Sequence, residues 1–446
     1  MLRGGLLTGA VVCVLLGGLV QADEPGTAER GKTALLMQSY IRGLWSPKSY
    51  DEAWKSWGPE VKESPKDYDA AFRDRYGLHP APYDNGRYPM GLRDGNGPFG
   101  KAVVADCMMC HASSILGQSY VGLGNASLDI QALFEDMGKG KTPIPFSHAR
   151  GTSEAGNFAV FLLSYRHPDL KMRLQPANFG MKDHLCEDVP AWWLLKKKKT
   201  MYQTGGTDAR SVRSLMQFML TPPNSLESFE KAEPAFRDIQ AYLLSLTPPK
   251  YPFPIDATLA QQGEKLFNKT CAKCHGTYGE KWTYPNKIIP IEIIGTDRTR
   301  YEGITVAWGD YYNKSWFGQE KRPDGKVGYL ATATAGYQAP PLDGIWATAP
   351  YFHNGSVPTV YQVLNSKARP KIFTRSFRTG NEDYDAANLG WKVRVLERGA
   401  DASLPPIEQR KIYDTTQPGR GNGGHIFGDH FTEPERRAVI EYLKTL

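Results

Sequence analysis

Two stretches of the chain repeat one pattern: "CMMCH" at 107–111 and "CAKCH" at 271–275. Each sets two cysteines three apart, with a histidine directly after the second. A thioredoxin-type redox pair would use one such motif on a strand-to-helix turn and has no need of the histidine. Zinc ribbons place their paired C-x-x-C units far closer than the 164 residues between Cys107 and Cys271, and zinc does not call for histidine at the fifth position. Covalent haem attachment accounts for every residue. The thiols of Cys107 and Cys110, and of Cys271 and Cys274, add to the vinyl groups, and His111 or His275 is carried to the iron as proximal ligand. Histidine is rare here, nine in 446 residues, so its recurrence at these two places is not a compositional accident. The expectation is two covalently bound haem c groups.

The start of the chain bears on the compartment. "MLRGGLLTGAVVCVLLGGLVQA" (1–22) has Arg3, an apolar run and a small-residue end at Val20-Gln21-Ala22, the grammar of a secretory signal peptide. Its apolar run is short and broken by glycines, so a membrane anchor is the weaker reading. Cys13 would leave with the leader. The expected location is the periplasm, with no membrane span after signal cleavage. Residues 23–446 are too many for one ordinary core. Removing Arg3 leaves 53 basic and 47 acidic residues, a mild excess that argues for no nucleic-acid partner. "KKKK" at 196–199 reads as a solvated loop. Cys186 is left without a partner and reads as a buried, inert thiol.

A repeated helix organises the rest. "EPAFRDIQAYLLSL" (233–246) and "EPERRAVIEYLKTL" (433–446) overlay with an offset of 200. Thr432 and Glu435 stand at capping-box spacing, and Val439, Tyr442, Leu443 and Leu446 make one apolar face. Because each copy follows a C-x-x-C-H, an internal duplication explains the pair. The fold class expected is mainly α: two cytochrome c-like haem domains with long loops, plus an N-terminal helical segment. The divisions are a leader at 1–22, an N-terminal segment at 23–95, a first haem domain at 96–246, a proline-rich linker at 247–256 and a second haem domain at 257–446. In the second domain, Asp256 caps a helix that leads directly into Cys271, and Gly263 lets the terminal helix cross closely. The first domain shows no such lead-in. Helices near 28–44 and 66–76 have no assigned role.

"APPLDGIWATAPYFHNGSVPTVYQVL" (339–364) resembles the C-terminal haem domain of bacterial di-haem cytochrome c peroxidases, in a superfamily that includes the methylamine-utilisation protein MauG. The stretches "LTPPKYPFPID" and "CAKCHGTY" are similar to the rubber-oxygenase-like branch. The resemblance, over roughly residues 100–446, implies two mostly helical haem domains. It implies an N-terminal haem that meets peroxide, dioxygen or a small organic substrate, and a C-terminal haem that relays electrons from a small periplasmic donor protein. It leaves room for calcium between the domains. It also implies an acidic residue in the reactive pocket, for which Glu227 is the candidate. Arg150, in "SHARGT", is the candidate for polarising bound peroxide or pairing with a haem propionate. The peroxidase W-D-G-R loop is replaced here by "PAWWLLKKKKTMYQTGG" (190–206). That departure leaves a haem-dependent peroxidase, an oxygenase and a non-catalytic electron-transfer protein as alternatives.

The sixth ligand separates them. No methionine follows Met219, so the His275 haem is expected to use a histidine of the glycine-rich "GRGNGGHIFGDHF". His425 is favoured over His430, and His353 is expected beside the haem. Around the His111 haem the candidates are His79, His148, His167 and His184. Trp192, Trp193 and Tyr202 could stand between the haems as relays or simply fill the core.

Overall fold

The computed structural model describes residues 26–446, apart from 42, 98–99, 139–144, 181–183, 223 and 327. The expected leader at 1–22 lies outside the described residues. Helices carry the architecture, and every sheet among the described residues has only two or three strands. No helix among them is long and apolar enough to cross a membrane.

Two crossed helix pairs form the frame. Helix α1, Ala28–Met37, is capped by Thr27 and packs on helix α2, Leu226–Ser245. Helix α3, Ala257–Thr270, is capped by the Asp256 side chain and packs on helix α4, Glu433–Leu443. In each pair a glycine marks the crossing. A Cβ on Gly31 would lie 1.8 Å from the Asp238 carbonyl oxygen, and one on Gly263 would lie 1.8 Å from that of Ala438. No side chain fits such a gap, so the backbones touch. Asp238 and Ala438 are separated by the same offset of 200 that overlays α2 on α4. The repeat therefore includes the first helix of each pair. This corrects the expectation that the first half has no lead-in helix: it is α1, carried far upstream in the N-terminal segment.

Residues 38–106 fill the space between α1 and the first motif. They fold around Tyr50, Phe72 and Tyr76, all fully buried, and end in the hairpin of β1, Leu92–Gly97, and β2, Gly100–Ala105. Arg93 of β1 donates to the carbonyls of Leu35 (3.2 Å), Leu36 (2.8 Å) and Gln38 (3.2 Å). Those carbonyls are orphaned by the end of α1. The same guanidinium pairs with Asp106 at 2.5 Å, one residue before Cys107.

α2 begins earlier than its repeat. Ser225 and Ser228 form a capping box, so the helix starts at Leu226 and Pro234 falls inside it, whereas Pro434 sits in the first turn of α4. On α4, Glu435 accepts from the Thr432 N–H and hydroxyl, both at 2.8 Å. Residues 247–256 are neither helix nor strand.

Candidate haem sites

α3 runs directly into the turn Ala272–His275. Nδ1 of His275 lies 2.8 Å from the Pro340 carbonyl oxygen. An imidazole that donates from Nδ1 to a carbonyl presents Nε2 as a free ligand, already oriented. Facing it is His425. Its N–H donates to the Ile294 carbonyl at 2.7 Å. Arg369 gathers the carbonyls of Asn422 (2.8 Å), Gly424 (2.7 Å) and His425 (3.2 Å). Gly424, at φ +71, lies so close to Gly295 that a Cβ would approach its carbonyl carbon to 2.2 Å, so only glycine lets the loop descend this far. The two imidazole centres are 6.2 Å apart, with planes at 58°. Metal–nitrogen bonds of about 2 Å on either side, with roughly 1.2 Å more to each ring centre, give about 6.4 Å. The pair therefore fits a metal held between two histidines. Burial, and then the neighbouring His275, lowers the His425 pKa to about 3, which keeps it in the neutral, ligating form. His430 is exposed and packs on Phe431.

The first motif occupies the turn Met108–His111, whose first N–H is capped by the Asp106 carboxylate at 2.8 Å. The His111 ring stacks on Trp192, with centres 4.7 Å apart and planes at 17°. Burial lowers the His111 pKa to about 4, and the Pro190 carbonyl opposes it. Pro190 thus faces His111 as Pro340 faces His275, but Nδ1 of His111 completes no hydrogen bond. Cys107, Cys110 and His111 line a cavity of about 600 Å³, a size that suits a cofactor. Apart from His111, no histidine lines it. Burial pushes the thiols of Cys107, Cys110 and Cys271 up to about 12.

Two consecutive tryptophans lie near the first motif and near the Pro340 loop. Trp192 lies on His111, while Nε1 of Trp193 donates to the Asp343 carbonyl at 2.8 Å, three residues from Pro340. Tyr202 also lines the cavity and accepts from Gln217 at 2.8 Å.

The remaining candidates separate clearly. Both ring nitrogens of His79 are engaged, by Asn125 at 3.1 Å and Ser114 at 2.7 Å, so its role is structural. His148 and His184 pack on each other at 4.6 Å, and His167 is exposed. His353 is buried against Tyr337 at 4.0 Å. Glu227 is exposed in the first turn of α2 and does not line the cavity. The early start of α2 puts it there. Arg150 is buried, but it donates to the Ser127 (2.9 Å) and Asp74 (2.8 Å) carbonyls and is likewise outside the lining. The structure places neither residue in the wall of the cavity beside His111, which corrects Glu227 as an acid of that pocket and Arg150 as a group facing it. Cys186 is fully buried. Among the described residues, no group of three or more histidine, cysteine or acidic side chains is placed to hold a metal ion such as calcium. Arg369 and Arg300 escaped the sequence reading, because a lone basic residue carries no local pattern, and Lys198 reads in the sequence only as part of a solvated lysine run.

The family described as RoxA-like, cytochrome c-like, matches residues 336–374. The match spans Pro340, His353 and Arg369 and implies haem c. An uncharacterized protein of Sinorhizobium fredii, y4iM, is 33% identical over 204 residues, 41% of this chain and 44% of its own length. Another from the same organism, y4iJ, is 30% identical over 262 residues, 45% of this chain and 41% of its own length. The chain thus spans less than half the length of these relatives. It carries a cytochrome c-like segment related to RoxA.

Proposed function

We propose that the chain is an exported di-haem c-type cytochrome acting as an oxidoreductase. The His111 site meets dioxygen or peroxide, and the His275 site relays electrons from a small periplasmic donor. One observation carries the reading, the asymmetry of the two histidines. His275 has His425 across from it at 6.2 Å. His111 opens on a cavity of about 600 Å³ with no second histidine in its wall. Haem would supply the redox-active iron at both places, and a free sixth position is what separates chemistry from electron transfer. The protein's part is positional. Pro340, Ile294 and Arg369 fix the two imidazoles of the relay site. Trp192, stacked on His111, and Trp193, bonded to the Asp343 carbonyl, are the relay candidates. The wall on the His111 side is largely apolar, and the lower local dielectric strengthens charge interactions there. That wall and the RoxA-like match favour activation of dioxygen toward a small organic substrate over peroxide reduction.

Spin-state spectroscopy tests the reading. Pyridine haemochrome should count two haems, one low-spin and one high-spin. His425→Ala should convert the low-spin haem to high-spin and leave the other unchanged. Two low-spin haems that ignore peroxide and oxygen would move the assignment to electron transfer alone. A His425→Ala protein with an unaltered spectrum would show that the relay ligand is another residue.

A further inference from the structure

The cavity beside His111 contains one charge with no counterpart. Lys198 lines it and is 8% exposed, yet no acceptor or carboxylate among the described residues partners its ammonium. The other ionisable groups of the wall are accounted for. Asp106 is paired with Arg93 at 2.5 Å, and Glu187 with Arg300 at 2.7 Å. Asp188 is held toward its neutral form by burial, with Arg375 the cation acting on it. Asp310 is exposed. A lysine has three donors and no acceptor, and holding it charged in a buried site without a partner is costly. An anion supplied by whatever fills the cavity would relieve that cost. The group that Cys107 and Cys110 are placed to hold carries two carboxylates.

We propose that Lys198 binds a carboxylate of the haem joined to Cys107 and Cys110. The proposal rests on the reading of that motif as a haem site. The ammonium neutralises an anion close to the iron and so favours the ferrous state, through the charge environment that tunes a haem potential. Lys198 is in this sense a positioning residue.

The test is a redox titration of the holoprotein, followed through the visible bands of each haem, with the His275 haem as internal reference. Lys198→Met should leave two haems by pyridine haemochrome. It should move the His111 couple about tenfold toward ferric, a fall of about 59 mV for one electron. Lys198→Gln should do the same, and Lys198→Arg should restore the potential. Two neutral variants with both haems and an unshifted couple would overturn the proposal. So would a spin-state change at the His111 haem in Lys198→Met, which would mark lysine as an iron ligand instead. Absence of haem at Cys107 and Cys110 in the unmutated protein would overturn the site reading itself, and the haem count separates that result from the others.

Discussion

The two halves solve one problem in different ways. In the second half, α3 leads into the first cysteine: Thr270 is its last residue and Cys271 is next. The helix that crosses α4 thereby fixes the position of the motif through the chain itself. In the first half, α1 ends at Met37, and residues 38–106 intervene before Cys107. The crossing at Gly31 and the motif at Cys107 are nevertheless brought back together. Arg93 does this by holding the end of α1 with three hydrogen bonds and the approach to Cys107 with an ion pair. The comparison teaches that the frame needs a crossed helix pair and a motif in fixed relation, not a continuous chain between them. A buried guanidinium replaces covalent continuity, and that substitute is more fragile.

The largest expected effect breaks this substitute. Arg93→Met leaves Asp106 buried without its partner and strips three carbonyls at the end of α1. Removing one member of a buried pair costs about 3–5 kcal/mol. The side chains of Arg93 and Asp106 are only 6% and 10% exposed, so little solvent screening reduces that figure. In urea the unfolding of the first half should move to lower denaturant, with the His275 spectrum retained until later. A loss below about 1 kcal/mol, the range of an exposed pair, would mean that the insertion is joined to α1 by packing alone.

The same contrast explains what could be seen in the sequence. The second half is local: Asp256, Gly263, Cys271 and His275 lie in one run of residues, and the glycine-rich loop before α4 is visible because it precedes a periodic helix. The first half spreads the same parts along the chain. Gly31 and Leu35 stand in α1 as Gly263 and Phe267 stand in α3, but no reading of the residues just before Cys107 can find them. Arg93 gives no signal at all, since its meaning depends on carbonyls more than 50 positions away. Glu227 and Arg150 rest on the resemblance alone, and α2 begins at Leu226, ahead of the repeat that starts at Glu233. Lys198 lay within a run of four lysines. There the bland reading of a solvated loop misses it, because one of the four points into the cavity.

A second difference concerns acid. The insertion buries His79, which serves as a structural imidazole, bonded to Asn125 and Ser114 and linked through Ser114 to Thr379 of the other half at 2.5 Å. Burial, followed by the positive charges of Arg375, Arg150 and Arg73, lowers its pKa from 6.5 to about 4. The folded protein therefore keeps this imidazole neutral where the unfolded chain protonates it. Its contribution is fully present above pH 6.5 and is lost as pH falls from 6.5 toward 4, by about 3 kcal/mol at most. Urea unfolding at pH 7.5 and 4.5 should show that loss in the first half. His79→Gln should flatten the dependence while lowering stability at pH 7.5. An unchanged slope in His79→Gln would assign the acid sensitivity to other groups.

The smallest expected effect in stability distinguishes the halves most finely. Gly31→Ala and Gly263→Ala put the same methyl group against equivalent carbonyls, each 1.8 Å from the ideal Cβ position. Both helices must move apart, at about 1–3 kcal/mol each. Their consequences at the haems should differ. Displacing α3 displaces Cys271 and His275, because the chain is continuous, so Gly263→Ala should shift the low-spin bands of the haem proposed at His275. Displacing α1 reaches Cys107 only through Arg93, whose side chain can lengthen or tilt its hydrogen bonds to absorb the movement. Gly31→Ala should therefore cost similar stability and leave the bands of the haem proposed at His111 nearly in place. Visible spectra of the two folded variants, taken beside their urea curves, make the comparison. Equal spectral shifts would show that Arg93 transmits strain as stiffly as a peptide backbone. A shift in Gly31→Ala alone would reverse the proposed order of rigidity between the halves.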